Sequence, residues 1–290
     1  QPRMPPEALA LLAAVSYALF TLSAWFGLQH STPLAATIIS LLARTILLWT
    51  AVIFAGGIPV FARLALIVFV ILGIQQSITS LLTFVGLHKI GTSRSQPLRN
   101  TYPLWSALIA IVIMHEKASA MIVAGTLLIV VGVVLISWKP DVPPPGYRWW
   151  HIAFSLAAGV LAGVAYPLRR YGLTITDEPV FFAAVVAVVS LAGAVPYVWL
   201  SRDRQGTMWH PRGVLHFTLA GFFEGLGALL SLMALSSGRV VIISPIVATT
   251  PLWNLLIAII FLRGREEINA RTIAGTVSVV IGTVAIAIGR

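Results

Sequence analysis

The chain has 290 residues, 58% of them hydrophobic and only 10% charged, with a mean hydropathy of +0.95. Soluble domains carry about 25% charged residues, so a soluble globular protein is excluded. The net charge of +10 sits mostly in short loops, as membrane anchoring requires, which argues against a nucleic-acid partner, and the lack of cysteine removes disulfides, thiolate nucleophiles and Cys-ligated metals.

Apolar runs of about 20 residues, the length that crosses a ~30 Å hydrocarbon core, recur along the whole chain. They predict an all-α integral membrane protein with ten transmembrane helices, at 8–28, 34–56, 63–87, 93–114, 118–138, 149–170, 179–200, 213–235, 239–262 and 268–289. The first run is too long for a signal-peptide core and has only Arg3 before it, so it reads as a helix that stays. Trp25, Trp49, Trp138, Trp149, Trp150, Trp199 and Trp209 fall near predicted ends, where indole suits the headgroup level. Trp105 and Trp253 do not.

Arg44 in LLARTILLW is the one strongly polar residue of the second span, and a structural role suits it best. In the third span Gln75 and Gln76 open a polar stripe that continues through Thr79, Ser80 and Thr83, spacing that serves close helix packing or a pathway. The fourth span begins SRSQPLRNTYPLW, in which Gln96, Arg99, Asn100 and Pro103 stand at i, i+3, i+4 and i+7 and so predict one shared helical face. That face cannot point at lipid, because a charge near the bilayer centre costs roughly 3 kcal/mol. Pro97 and Pro103 each free a backbone carbonyl, which a neighbour, water or ligand must satisfy. Arg99 therefore either faces a substrate, with Gln96, Asn100, Tyr102 and Trp105 beside it, or pairs with Glu224 or reaches the headgroups. Glu224, alone among acidic residues deep in a span, either forms an ion pair with an arginine or takes up a coupling cation or proton. Trp105, Trp253 and Asn254 after the equivalent prolines line or gate a central pocket or fill the core, and Tyr17, Tyr102 and Tyr166 suit core or interfacial positions better than a site. No Walker, H-E-x-x-H or G-x-S-x-G motif occurs, and the six histidines lack metal-ligand spacing, so neither an enzyme, a cofactor nor a metal site is expected.

A repeat runs through these spans. TYPLWSALIAI (101–111) and TTPLWNLLIAI (249–259) share eight of eleven residues at an offset of 148, and AGTLLIVVGVVLI (124–136) and AGTVSVVIGTVAI (274–286) share seven of thirteen at 150. The divisions are 1–140 as a first five-helix repeat, 141–148 as a Pro-rich linker and 149–290 as a second repeat. A unit of five crossings ends opposite its start, so its copy inserts upside down, and such inverted repeats are how many transporters build alternating access around a midplane site.

Ten spans, a five-span repeat, P-L-W-x-x-L-I-A-I with Glu116 and AGT at 124–126 in one half, and its copy with Glu266 and AGT at 274–276 in the other, resemble the EamA-type drug/metabolite transporter superfamily over essentially the whole chain. Arg44 sits where many members carry a second-span arginine, whereas Gln96, Arg99 and Asn100 replace residues that are usually small or apolar. The resemblance implies a secondary transporter in a bacterial inner membrane with both termini cytoplasmic. Loop charge leans mildly the other way, with about seven Lys and Arg on the terminal side and about ten opposite. The expected activity is alternating-access transport of a small polar or amphipathic, anion-bearing metabolite, bound by Arg99 and Asn100, with protons as a candidate coupling ion and a monomer sufficient. A lipid-headgroup flippase is the alternative, and a membrane scaffold or enzyme a lesser one.

Overall fold

A computed structural model of the chain describes residues 4–137, 147–205, 210–261 and 270–289. Most of the linker, Trp138, Trp209 and Glu266 lie outside them. The described residues form α1 (Pro6–Leu28), α2 (Pro33–Phe54), α3 (Arg63–Ile90), α4 (Thr92–Arg99), α5 (Tyr102–Val112), α6 (Ala120–Ser137), α7 (Ile152–Ile175, after a short turn at 149–151), α8 (Pro179–Gln205), α9 (Pro211–Ser237), α10 (Val240–Val247), α11 (Thr250–Phe261) and α12 (Ala270–Gly289). Nine helical stretches among them are long and apolar enough to cross a membrane, and the broken pair α4–α5 makes the tenth crossing. The fold is thus all-α with ten crossings, and the start of α1 and the end of α12 share one side, called the near side below.

Proline chemistry sets the two breaks. Pro103 has no N–H to offer the Arg99 carbonyl, so α4 ends at Arg99 and α5 restarts with Pro103 in its first turn, where the missing donor costs nothing. Pro251 repeats this after α10. Each break is pinned by the same pair of bonds. The Thr101 hydroxyl donates to the Leu98 carbonyl (2.7 Å) and receives the Trp105 indole N–H (3.2 Å), and Thr249 does the same with Ile246 (2.7 Å) and Trp253 (3.2 Å). Each tryptophan thus braces its break.

The two halves pack about a pseudo-two-fold axis. On the α6–α12 seam a Cβ at Gly125 would lie 2.6 Å from the Gly282 carbonyl oxygen and one at Gly282 2.6 Å from that of Gly125, while Gly132 and Gly275 oppose each other at 2.5 and 2.7 Å. Gly125 is the repeat partner of Gly275, and Gly132 of Gly282, so each contact maps onto the other. Gly27 against Phe217 and Gly172 against Phe69 repeat the relation between the first and third crossings of opposite halves. Without a hydrophobic drive between helices in lipid, such close approach is what holds crossings together.

The symmetry is broken in one respect. On the near side α5 packs against α10, where the Ser106 and Ser244 hydroxyls hydrogen bond at 2.5 Å with both residues fully buried. The counterpart pair, α4 and α11 in the far half, has little or no contact among the described residues.

Candidate functional site

Five charged side chains lie within the crossings, away from their ends, among the described residues: Arg44, Arg99, Arg169, Arg170 and Glu224. Their partners divide them. Arg44 of α2 donates from Nη1 to Glu224 Oε1 of α9 at 2.9 Å, with side chains 5% and 20% exposed. Gly225, beside Glu224, leaves room for the Arg44 side chain, whose Cγ would sit 3.4 Å from an added Cβ. Glu224 therefore closes on Arg44 and not on Arg99. Arg170 donates to the Leu235 carbonyl (2.8 Å) and to that of Ser236, filling acceptors that the end of α9 leaves open.

Arg99 and Arg169 have no carboxylate partner among the described residues, and the Nε of each is buried without a hydrogen bond. Between them lie two tyrosines. Tyr102 and Tyr166 stack with centroids 5.5 Å apart and planes 10° apart, and the Arg169 guanidinium lies 5.5 Å from the Tyr166 ring centre, a cation–π contact. Tyr17 of α1 lies within electrostatic reach of Tyr166, Arg169, Arg44 and Glu224, and Tyr102 within reach of Arg99 and Tyr17. The cluster thus faces the interior, at the depth of the α4–α5 break. Glycines on α7 make it possible. A Cβ at Gly159 would lie 2.9 Å from the Leu98 carbonyl oxygen and 3.1 Å from that of Arg99, and one at Gly163 would lie 2.8 Å from that of Tyr102. The backbone of α7 therefore packs directly against the break and covers the Arg99 carbonyl that Pro103 leaves without a donor.

The remaining sequence candidates are dispersed. Asn100 caps α4 and directs its amide to the Ser137 hydroxyl (3.4 Å), so the face expected to unite Gln96, Arg99, Asn100 and Pro103 is split by the break: Pro103 is buried in α5 and Asn100 turns to α6. Gln96 is half-buried on α4, and Gln75 gives its amide N–H to the Leu161 carbonyl of α7, leaving its own carbonyl buried and unpaired. Gln76 is half-buried and its backbone carbonyl receives the Ser80 hydroxyl. Asn254 occupies on α11 the place that Ser106 has on α5, but it is half-buried and has no interhelical hydrogen bond like the Ser106–Ser244 pair among the described residues. Arg169 is the residue that the sequence reading passed over.

The near side is latched as well as packed. The Glu116 carboxylate accepts from the backbone N–H groups of Val240 and Val241, each at 3.0 Å, capping the start of α10, and Arg239 donates to the Lys117 carbonyl at 2.9 Å. A charged cap of this kind is worth about 1 kcal/mol. The chain has no native cysteine, so Ser106→Cys gives a single reporter thiol in the sealed half. It is expected to resist a membrane-impermeant maleimide, and adding Glu116→Ala is expected to speed its labelling about fivefold; unchanged labelling rejects the latch.

The chain matches the EamA-like transporter family over residues 4–138 and 149–288, one match for each half. A solved structure titled "Crystal structure of protein" has the same fold, with a TM-score of 0.80 over 98% of this chain and 96% of that chain at 16% identity. No curated protein matches significantly. With both halves matched and the crossings, breaks and seam in place, the chain belongs to the EamA-like transporter family of the drug/metabolite transporter superfamily.

Proposed function

We propose that the protein is a secondary transporter of a small anion-bearing metabolite, working by alternating access about the midplane. The observation that carries this reading is Arg99, a buried guanidinium Nε with no partner, on a broken helix at the depth of the Tyr102–Tyr166 stack. A guanidinium offers paired donors to a carboxylate or phosphate, and an unpartnered one within a membrane is hard to account for unless a ligand completes it. The packed α5–α10 contact and the unpacked α4–α11 pair support a conformation sealed on the near side, the other state being its mirror across the pseudo-two-fold. Any proton coupling we assign to Glu224, which would have to leave Arg44 to take part.

Arg99→Gln keeps the volume and some hydrogen-bonding capacity but removes the charge. In proteoliposomes tested for uptake of radiolabelled small carboxylates and phosphates, it is expected to lower transport by about a hundredfold, the scale of one lost charge-assisted ligand contact, while eluting as a monodisperse protein. Wild-type uptake rates in that variant reject the role.

A further inference from the structure

Arg169 changes what the site asks of its ligand. Arg44 and Glu224 neutralise one another, which leaves three positive charges; carbonyls of α9 solvate that of Arg170, whereas Arg99 and Arg169 have no acceptor among the described residues. They do not converge on one point. α7 runs from the far side to the near side, so Arg169, three residues beyond Tyr166, lies roughly 4.5 Å deeper toward the sealed side, and Arg99, three residues before Tyr102, lies a similar distance toward the open side. The stacked tyrosines stand between them. The cation–π contact holds Arg169 against the buried Tyr166, well inside the end of α7 at Ile175, so its head is fixed in the interior and does not reach the membrane surface.

When both sides of such a site close, each guanidinium must be neutralised or bear the cost of a bare charge in low dielectric. A monoanion satisfies one and leaves the other. We propose that the ligand is a small dianion with two separated acidic groups, one met by Arg99 and one by Arg169, its spacer passing along the edges of the Tyr102–Tyr166 stack. This rests on the anion reading above and specifies its substrate class. Arg169 then sets the charge preference and Arg99 supplies the first contact from the open side.

The test uses the full-length protein in detergent. Thermal stabilisation is titrated with a series of straight-chain α,ω-dicarboxylates of four to eight carbons, with the monoamide of each, which carries one charge at the same length, and with inorganic phosphate. Wild type is expected to be stabilised by dicarboxylates with an optimum length, and at least tenfold more weakly by their monoamides. Arg169→Gln is expected to weaken the dicarboxylate at least tenfold and leave the monoamide unchanged, so that the preference for two charges disappears. Arg99→Gln is expected to weaken both. A merely structural Arg169 would lower stability without moving the ratio of dicarboxylate to monoamide affinity, and that outcome overturns the proposal. Equal binding of monoamides and dicarboxylates by wild type, lost in Arg99→Gln alone, also overturns it while leaving the anion reading in place. Stabilisation by phosphate and by no dicarboxylate overturns it in favour of a single compact anion. Failure of every anion, in protein that elutes as a monomer, overturns both.

Discussion

Arg44→Ala is expected to cost on the order of 3 kcal/mol of stability in detergent unfolding, the scale set by leaving one member of a buried pair without its partner. Glu224 lies opposite Arg44 across the α2–α9 contact, 2.9 Å away, and the described residues offer it no other cation within salt-bridge distance. Removing the guanidinium leaves a carboxylate to be desolvated alone or protonated. Glu224→Gln keeps one hydrogen bond, since the amide still accepts from Arg44, but leaves the buried guanidinium without a counter-charge. The double variant Arg44→Met with Glu224→Met replaces two charges by two flexible apolar chains of similar length and is expected to recover most of the loss, because the attraction within a buried pair does little more than offset its desolvation. A double variant as unstable as Arg44→Ala would show that the pair contributes more than mutual neutralisation.

The crossings were legible because lipid imposes a length and an apolar composition that nothing else in the chain imitates, and the ten predicted spans agree with the helices to within about five residues. The repeat was legible because prolines and glycines are kept where backbone geometry depends on them: Pro103 and Pro251 at the breaks, and Gly125, Gly132, Gly275 and Gly282 at the seam. The break itself was less so. The spacing of Gln96, Arg99, Asn100 and Pro103 assumes an uninterrupted helix, and Pro103 is the residue that interrupts it.

The site was legible in part. Arg99 stands out because its repeat partner is Val247, so the scaffold does not require it. Arg169 was hidden by an end-of-helix error. Stopping the sixth span at residue 170 makes both arginines interfacial, whereas α7 continues to Ile175 and draws them a further turn and a half into the membrane. The available signal was Tyr166 at i−3, the spacing at which an arginine covers an aromatic ring on the same helix face. The Arg44–Glu224 pair spans 180 residues, and the capping of α10 by Glu116 spans 124. Neither partner can be chosen from spacing, since only the packing of one half on the other brings them together.

Gly132→Leu is expected to abolish the folded monomer. A Cβ there would lie 2.5 Å from the Gly275 carbonyl oxygen and 2.9 Å from the Val279 nitrogen, both backbone atoms that no rotamer change can move. The only relief is to separate α6 from α12, and with it the dispersion contacts that hold the two halves together at that seam. The measurement is the monodisperse fraction on size exclusion after extraction in mild detergent. Val131→Leu, at a residue 53% exposed on the same helix, is the control and is expected to behave as wild type. Because the seam is isologous, the same insult at the repeat partner Gly282 meets the Gly125 carbonyl at 2.6 Å and the Ile129 nitrogen at 2.9 Å, and it is expected to be equally damaging. A tolerated leucine at one of the two positions and not the other would show that the pseudo-two-fold does not govern this contact energetically, and a symmetrical pair of states related by that axis would lose its structural basis.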